Sequence, residues 1–297
     1  MPNNRVFYAS QGVSVGGTTV TGAQSVGITT NFNLEQAFQL GQLAIYDNIN
    51  LDPEVEITIS KVLDGADSIW KLSSTTGTSL IQNANDKSTV VVGVGSDTED
   101  SLSSDTAITC TGMFVSSLSY TFPVDGNLTE EITFVGNAKA LTGSVSAPGA
   151  VENPVLRRQN VNIAGSTLPA VVSGKNISNI TISADLGRES MYKLGSLAPF
   201  HRFVNFPLEV TCEFEVIATE LDGVAVDIPT GACSGLNVAD SSINIVVCGS
   251  GGEGGYSFDL GTKCKLSSVN YSGGDTGGGN ATVTYSFTTY NELDITG

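Results

Sequence analysis

A nucleophile with a histidine base needs an imidazole within reach of a serine, threonine or cysteine. The chain holds one histidine, His201, between Pro199-Phe200 and Arg202-Phe203. No Gly-x-Ser-x-Gly elbow is present, and a structural or surface role for His201 is the reading these residues favour. Zinc needs cysteine or histidine at ligand spacing. The five cysteines, Cys110, Cys212, Cys233, Cys248 and Cys264, form no C-x-x-C pair, and Cys212 lies in an alternating apolar run as a core thiol would. Acidic residues near turns, Asp97, Glu99, Asp100, Asp222 and Asp227, lack calcium-loop spacing and read as a solvated face. With 30 acids a carboxylate pair for glycoside hydrolysis is always available, so it carries no specificity. The run Gly249–Gly255 lacks the Gly-Lys-Ser/Thr ending of a phosphate loop, and Glu253 would repel phosphate. No enzyme, metal or cofactor is expected.

Of 297 residues 40% are hydrophobic and 14% charged, enough to bury a core. Thirty-four glycines amid frequent Thr, Ser and Val lean towards short strands and turns. A net charge of −17 repels nucleic acid and anionic membranes, although DNA can slide past such a surface without sticking. No stretch approaches 18 apolar residues, and the Met1–Phe7 start is not a signal segment, so folding in a cytoplasm is expected.

What must position any site is an internal repeat. Residues 28–53 align with 182–207 without a gap, at an offset of 154, with seven of 26 positions identical. Among them are Glu35/Glu189, Leu40/Leu194, Gly41/Gly195 and Pro53/Pro207. Each copy continues into an alternating strand: Val55, Ile57 and Ile59 in the first, Val210, Cys212, Phe214 and Val216 in the second. Asp64-Gly65 and Asp222-Gly223 then mark turns. A closing block repeats as well, Ser116–Tyr120 with Ser267–Tyr271, then Gly126-Asn127-x-Thr129 with Gly279-Asn280-x-Thr282. Each reads as a hairpin with a Gly-rich tip.

A helix is expected in each copy. Asn33 is placed to cap Leu34–Leu40, and Asp185 or Gly187 to open Arg188–Leu194, with Gly41 and Gly195 as stops. The expected fold is mainly β: two tandem sandwich or barrel repeats, each with one short flanking α-helix. The repeats are expected at 1–145 and 166–297, joined by a linker at 146–165 around Pro148, Gly149 and Pro154.

The chain resembles bacteriophage tail tube proteins, of the long-tailed cyanophage kind, at Ser116–Glu131, Val155–Gln159, Asp185–Glu189, Leu194-Gly195 and Asn205–Thr211. The resemblance implies a sandwich or barrel whose strands join neighbours into rings, stacked into a hollow tube in the virion tail. Family rings are commonly six-fold with one fold unit per subunit. A duplicated chain would then build a pseudo-six-fold ring from three subunits. Partners would be the chain itself, the baseplate, terminator and tape-measure proteins, and double-stranded DNA passing without specific binding, with no membrane. Ring-stacking hairpins are expected at Asp125, Gly126 and Asn127 and at Gly277, Gly278 and Gly279, and inter-subunit contacts at Arg157 and Arg158. The alternatives are a terminator or baseplate ring of the same fold, or a carbohydrate-binding adhesion sandwich with Trp70 as its platform.

Overall fold

The computed structural model describes residues 11–94, 106–142, 145, 154–219, 240–249, 255–273 and 279–297. The described residues are mainly strand. The first half runs β1 (Gln11–Val15), β2 (Thr18–Thr19), β3 (Ala23–Asn31), β4 (Leu34–Phe38), β5 (Ile45–Asn50) and β6 (Glu54–Val62). Then come α1 (Ile69–Ser73), α2 (Leu80–Asn83), β7 (Ser88–Val94), β8 (Thr106–Pro123), β9 (Thr129–Gly136) and β10 (Ala138–Leu141). The second half runs β11 (Ile177–Asp185), β12 (Arg188–Met191), β13 (His201–Val204) and β14 (Glu209–Ile217). It ends with β15 (Asn244–Val247), β16 (Tyr256–Asp259), β17 (Lys265–Ser272), β18 (Thr282–Tyr290) and β19 (Asp294–Thr296).

The period-two runs form the strands they predict. Along β6 the side chains of Val55, Ile57 and Ile59 are buried and Glu56 is exposed; along β14 Val210, Cys212, Phe214 and Val216 are buried and Glu213 is exposed. These strands join one 12-stranded sheet, eight of whose strands run continuously in the order β3-β6-β9-β8-β11-β14-β18-β17. Four come from each half, and the halves meet where β8 pairs with β11. So the halves are not separate sandwiches but share a sheet. The first eight residues of β8, Thr106–Met113, serve a second layer, pairing with β7 and β10 before the strand crosses to β9 and β11. Gly112, at φ +65°, supplies the backbone turn at that crossing.

The pairing registers of the two halves coincide. β3 and β6 pair Ile28 with Ile57, and β11 and β14 pair Ile182 with Cys212. β6 and β9 pair Ile57 with Phe134, and β14 and β18 pair Cys212 with Phe287. Register shifts recur at equivalent places, between Ala23 and Ser25 and between Ile177 and Asn179. A second pair lies between Val115 and Ser117 and between Leu266 and Ser268.

The inward faces of these strands pack against a second layer built from β1, β7, β15, β16 and α1 in one core cluster. Phe258 of β16 meets Tyr120 and Phe122 of β8 edge-on, with centroids 4.8 and 5.2 Å apart, so second-half aromatics fill the first-half core. Residues 154–165, expected as a linker, pack on the fold: Leu156 is buried and its backbone bonds Leu63 and Leu128, while Val161 bridges Val247.

The two expected helices are absent from their expected places. Leu34–Phe38 is strand β4, paired with β5, and Arg188–Met191 is strand β12, paired with β13. Asn33, expected as a helix cap, instead ties the base of the hairpin: its Nδ2 donates to the Asp52 carbonyl at 2.8 Å and its carbonyl accepts from Leu51 N–H. A helix of seven residues has little stability of its own, and pairing with a return strand outweighs it. Gly41 and Gly195 sit at φ +88° and +84° in the two hairpin loops, not as helix ends.

Among the described residues the α-helices are α1 and α2, which follow β6 in the first half. Asp86 holds the loop between them. It accepts from Thr75 N–H at 2.7 Å, Thr76 N–H at 3.1 Å and the Thr76 hydroxyl at 3.0 Å. Burial pushes its carboxyl up, but these bonds together outweigh that and hold it below its usual value. A depressed folded pKa gives stability that is present above 3.8 and lost as pH falls through the folded value. Asp86→Ala is expected to cost about 1–2 kcal/mol at pH 7 and less as pH falls below 3.8, read by denaturant melts across that range.

Candidate functional site

The outward face of the eight-stranded sheet is a carpet of hydroxyls and carboxylates. Thr58 and Thr133 on β6 and β9 stand side by side, with hydroxyl oxygens 3.2 Å apart. Ser119 and Thr121 on β8 lie beside Ser183 and Thr181 on β11. Ser286 on β18 donates to Glu213 on β14 at 3.0 Å. Glu56, Glu131 and Glu213 are exposed there, and Glu215 is half-buried. Among the described residues of these strands the one cation on that face is Lys265, at the β17 end, paired to Asp240 at 2.7 Å. Lys61, the lysine of β6, points inward and is fully buried. Such a face is wetted and negative, with Tyr290 as an exposed aromatic at the end of β18. Its charge repels polyanions.

Two hairpin arms leave this sheet at equivalent places, β4–β5 and β12–β13. Their registers coincide: Leu34 pairs with Asn50 and Arg188 with Val204. Both arms carry exposed apolar side chains at their tips: Leu40 and Leu43 on the first, Leu194 and Leu197 on the second. Leu40, Leu43 and Leu194 are as exposed as in an extended chain, at 102%, 104% and 103%. A protein surface rarely leaves such leucines in water unless another surface covers them.

The arms differ at their bases. The second lies against the first half. Arg188 donates from Nε to the Val115 carbonyl at 2.8 Å, and its guanidinium covers the Phe114 ring at 5.0 Å. Burial, helped by Arg202, pulls its pKa down to about 9. Arg202 pairs with Glu54 at 3.1 Å and with Asn137. His201 stacks edge-on between Phe114 and Phe203, at 5.0 and 4.2 Å. Burial lowers its pKa, as do Lys87 and Arg188. The single histidine is therefore part of the packing of an arm. Among the described residues the first arm has no such seat, and every residue of β5 is exposed.

The other sequence-predicted residues fall as follows. Asp125, Gly126 and Asn127 form the tip between β8 and β9. Arg157 donates from Nε to Asn127 Oδ1 at 3.1 Å, and Arg158 lies 3.9 Å from Asp125. Both arginines thus meet that tip within the chain. Gly279 is exposed before β18; Gly277 and Gly278 lie outside the described residues. So do Asp97, Glu99, Asp100, Asp222, Asp227, Gly223, Cys233, Pro148 and Gly149, with most of the Gly249–Gly255 run. Burial raises the thiol pKa values of Cys110, Cys212 and Cys264, the last to about 11, so these cysteines are inert. Trp70 is fully buried, its Nε1 donating to the Thr78 carbonyl at 2.8 Å, and offers no platform to a sugar.

One buried polar group escaped the sequence reading. Glu130 on β9 points into the core, accepting from Ile69 N–H at 2.9 Å, Trp70 N–H at 3.1 Å and the Tyr120 hydroxyl at 2.7 Å. It fixes the start of α1 beneath the sheet. Its signal was a carboxylate in the inward phase of a strand, between Leu128 and Ile132.

Among the described residues no helix is long and apolar enough to cross a membrane. Compared with known proteins, the chain matches no family model and no curated protein.

Proposed function

We propose that the protein is a structural subunit of a bacteriophage tail tube, built from two tandem copies of one fold unit. Three chains would close a pseudo-six-fold ring, and rings would stack into the channel through which DNA leaves the capsid. The observation that carries the reading is the eight-stranded sheet with a polar, acidic outward face, four strands from each half in the same order and register. Turned to the inside of a ring, that face makes an aqueous channel that lets a polyanion slide. The exposed leucine arms supply the apolar surface that stacked rings would cover. The resemblance of Ser116–Glu131 and Asn205–Thr211 to tail tube proteins points the same way.

The test is charge reversal on the channel face. Assembled wild-type protein is expected to retain no double-stranded DNA at low salt. Glu56→Lys, Glu131→Lys, Glu213→Lys and Glu215→Lys together should make assemblies that hold DNA and release it as salt rises. Equal retention by wild type and variant would place these residues away from any channel. A terminator or baseplate ring of the same fold would give closed single rings in electron micrographs, where a tube protein gives open-ended stacks.

A further inference from the structure

The two halves of one chain are joined by a seam, β8 against β11, that has a counterpart at the free edges of the sheet. Among the described residues β3 pairs only with β6, and β17 only with β18, so each leaves one edge unpaired. β3 holds the place in the first half that β11 holds in the second, and β17 the place of β8. We infer that β17 of one chain pairs antiparallel with β3 of the next, in the register that β8 and β11 already adopt within the chain. This rests on the tube reading and adds the contact that closes the ring.

The internal seam fixes the register. There Ile182 faces Tyr120, Ser183 faces Ser119 and Ala184 faces Leu118. Carried over by the repeat offsets, Ile28 faces Tyr271, Thr29 faces Asn270 and Thr30 faces Val269. The chemistry is kept at two of the three pairs, apolar Ile28 with Tyr271 towards the core and polar Thr29 with Asn270 towards the channel, while Thr30 stands where the internal seam has Ala184. The burial is also that of a seam left open. Ile182 and Tyr120 are fully buried, whereas Ile28 is half-buried and Tyr271 is 49% exposed. An unpaired edge with apolar residues on its inner side is a template for another strand.

The first arm gives a second, independent indication. The second arm crosses the internal seam to rest on Phe114, Val115 and Glu54 of the first half, and β13 is buried at Arg202 and Val204. β5, its counterpart, is exposed throughout because the matching seat belongs to the next chain. By the same offsets that seat is Lys265, Leu266 and Glu209 of the neighbour.

Paired cysteines test the register. Thr29 and Asn270 are both exposed, so neither substitution disturbs the core. Directly opposed residues bring Cβ atoms to about 4.5–5.5 Å, close enough for a disulfide after small movement, and residues two apart do not. The chain carrying Thr29→Cys and Asn270→Cys, mildly oxidised, should give a non-reducing ladder that stops at a closed species. Single variants, wild type and the shifted pair Thr29→Cys with Ser268→Cys should give none. A ladder from the shifted pair overturns the register. Rings or tubes in micrographs with no ladder from Thr29 and Asn270 overturn the seam and leave the tube reading standing. A chain that neither cross-links nor assembles at any concentration overturns both.

Discussion

Replacing Leu40, Leu43, Leu194 and Leu197 with serine is expected to abolish ring stacking while leaving the fold and the ring intact. Leu40, Leu43 and Leu194 are fully exposed and Leu197 is 59% exposed. Covering a leucine is worth roughly 1.5–3 kcal/mol. Losing even ~3 kcal/mol of contact per chain raises the concentration needed for stacking more than about 100-fold, at 1.4 kcal/mol per factor of ten. Sedimentation of wild type and variant across a concentration series measures this. Unchanged thermal melting would confirm that the fold is untouched. Tubes that form at the wild-type concentration would show that the arm tips do not join rings, and would return attention to the Asp125–Asn127 tip.

Glu130→Ala should be the most destabilising single change in the first half, at about 3–5 kcal/mol. It leaves the N–H groups of Ile69 and Trp70 and the Tyr120 hydroxyl without their acceptor, in a fully buried place. It also removes a negative charge near the buried Lys61, which then relies on Asp64 at 3.3 Å and the Asp67 carbonyl. The pH dependence has a definite sign. Burial raises the Glu130 carboxyl above its usual value, against the opposing pull of Ile69 N–H, the Tyr120 hydroxyl and Lys61. A raised carboxyl binds its proton more tightly in the fold than in the unfolded chain. Its contribution is therefore fully present below pH 4.5 and is lost as pH rises through the folded pKa. Denaturant melts from pH 4 upward should show this decline in wild type and a flatter profile in Glu130→Ala. A cost under about 1 kcal/mol would mean that water takes over the three bonds.

Much of the fold could be read from residue order, because the strands of this sheet each show one face to the core. Val55, Ile57 and Ile59 alternate with polar partners, and period two admits no other element there. The offset of 154 between residues 28–53 and 182–207 could be seen in the residues themselves, and the pairing registers of β3 with β6 and β11 with β14 follow it. The arms were misread because a seven-residue window such as Leu34–Leu40 satisfies helix rules locally. What decides it is Ile45–Asn50, a return strand that local rules do not see. The shared sheet was hidden too. Joining β8 to β11 uses backbone groups, and Ser117–Thr121 and Asn179–Asp185 carry no mark of their partner. The polar face could be seen as alternation along each strand.

The most direct test of the tube reading is electron microscopy of the purified, assembled protein, with the mass of each ring. The account predicts open-ended stacked rings of three chains, each chain lending eight strands to an inner wall whose lumen face carries Glu56, Glu131 and Glu213. Rings of six chains, or an inner wall formed by the β7 and β15 layer with the acidic face outside, would contradict it.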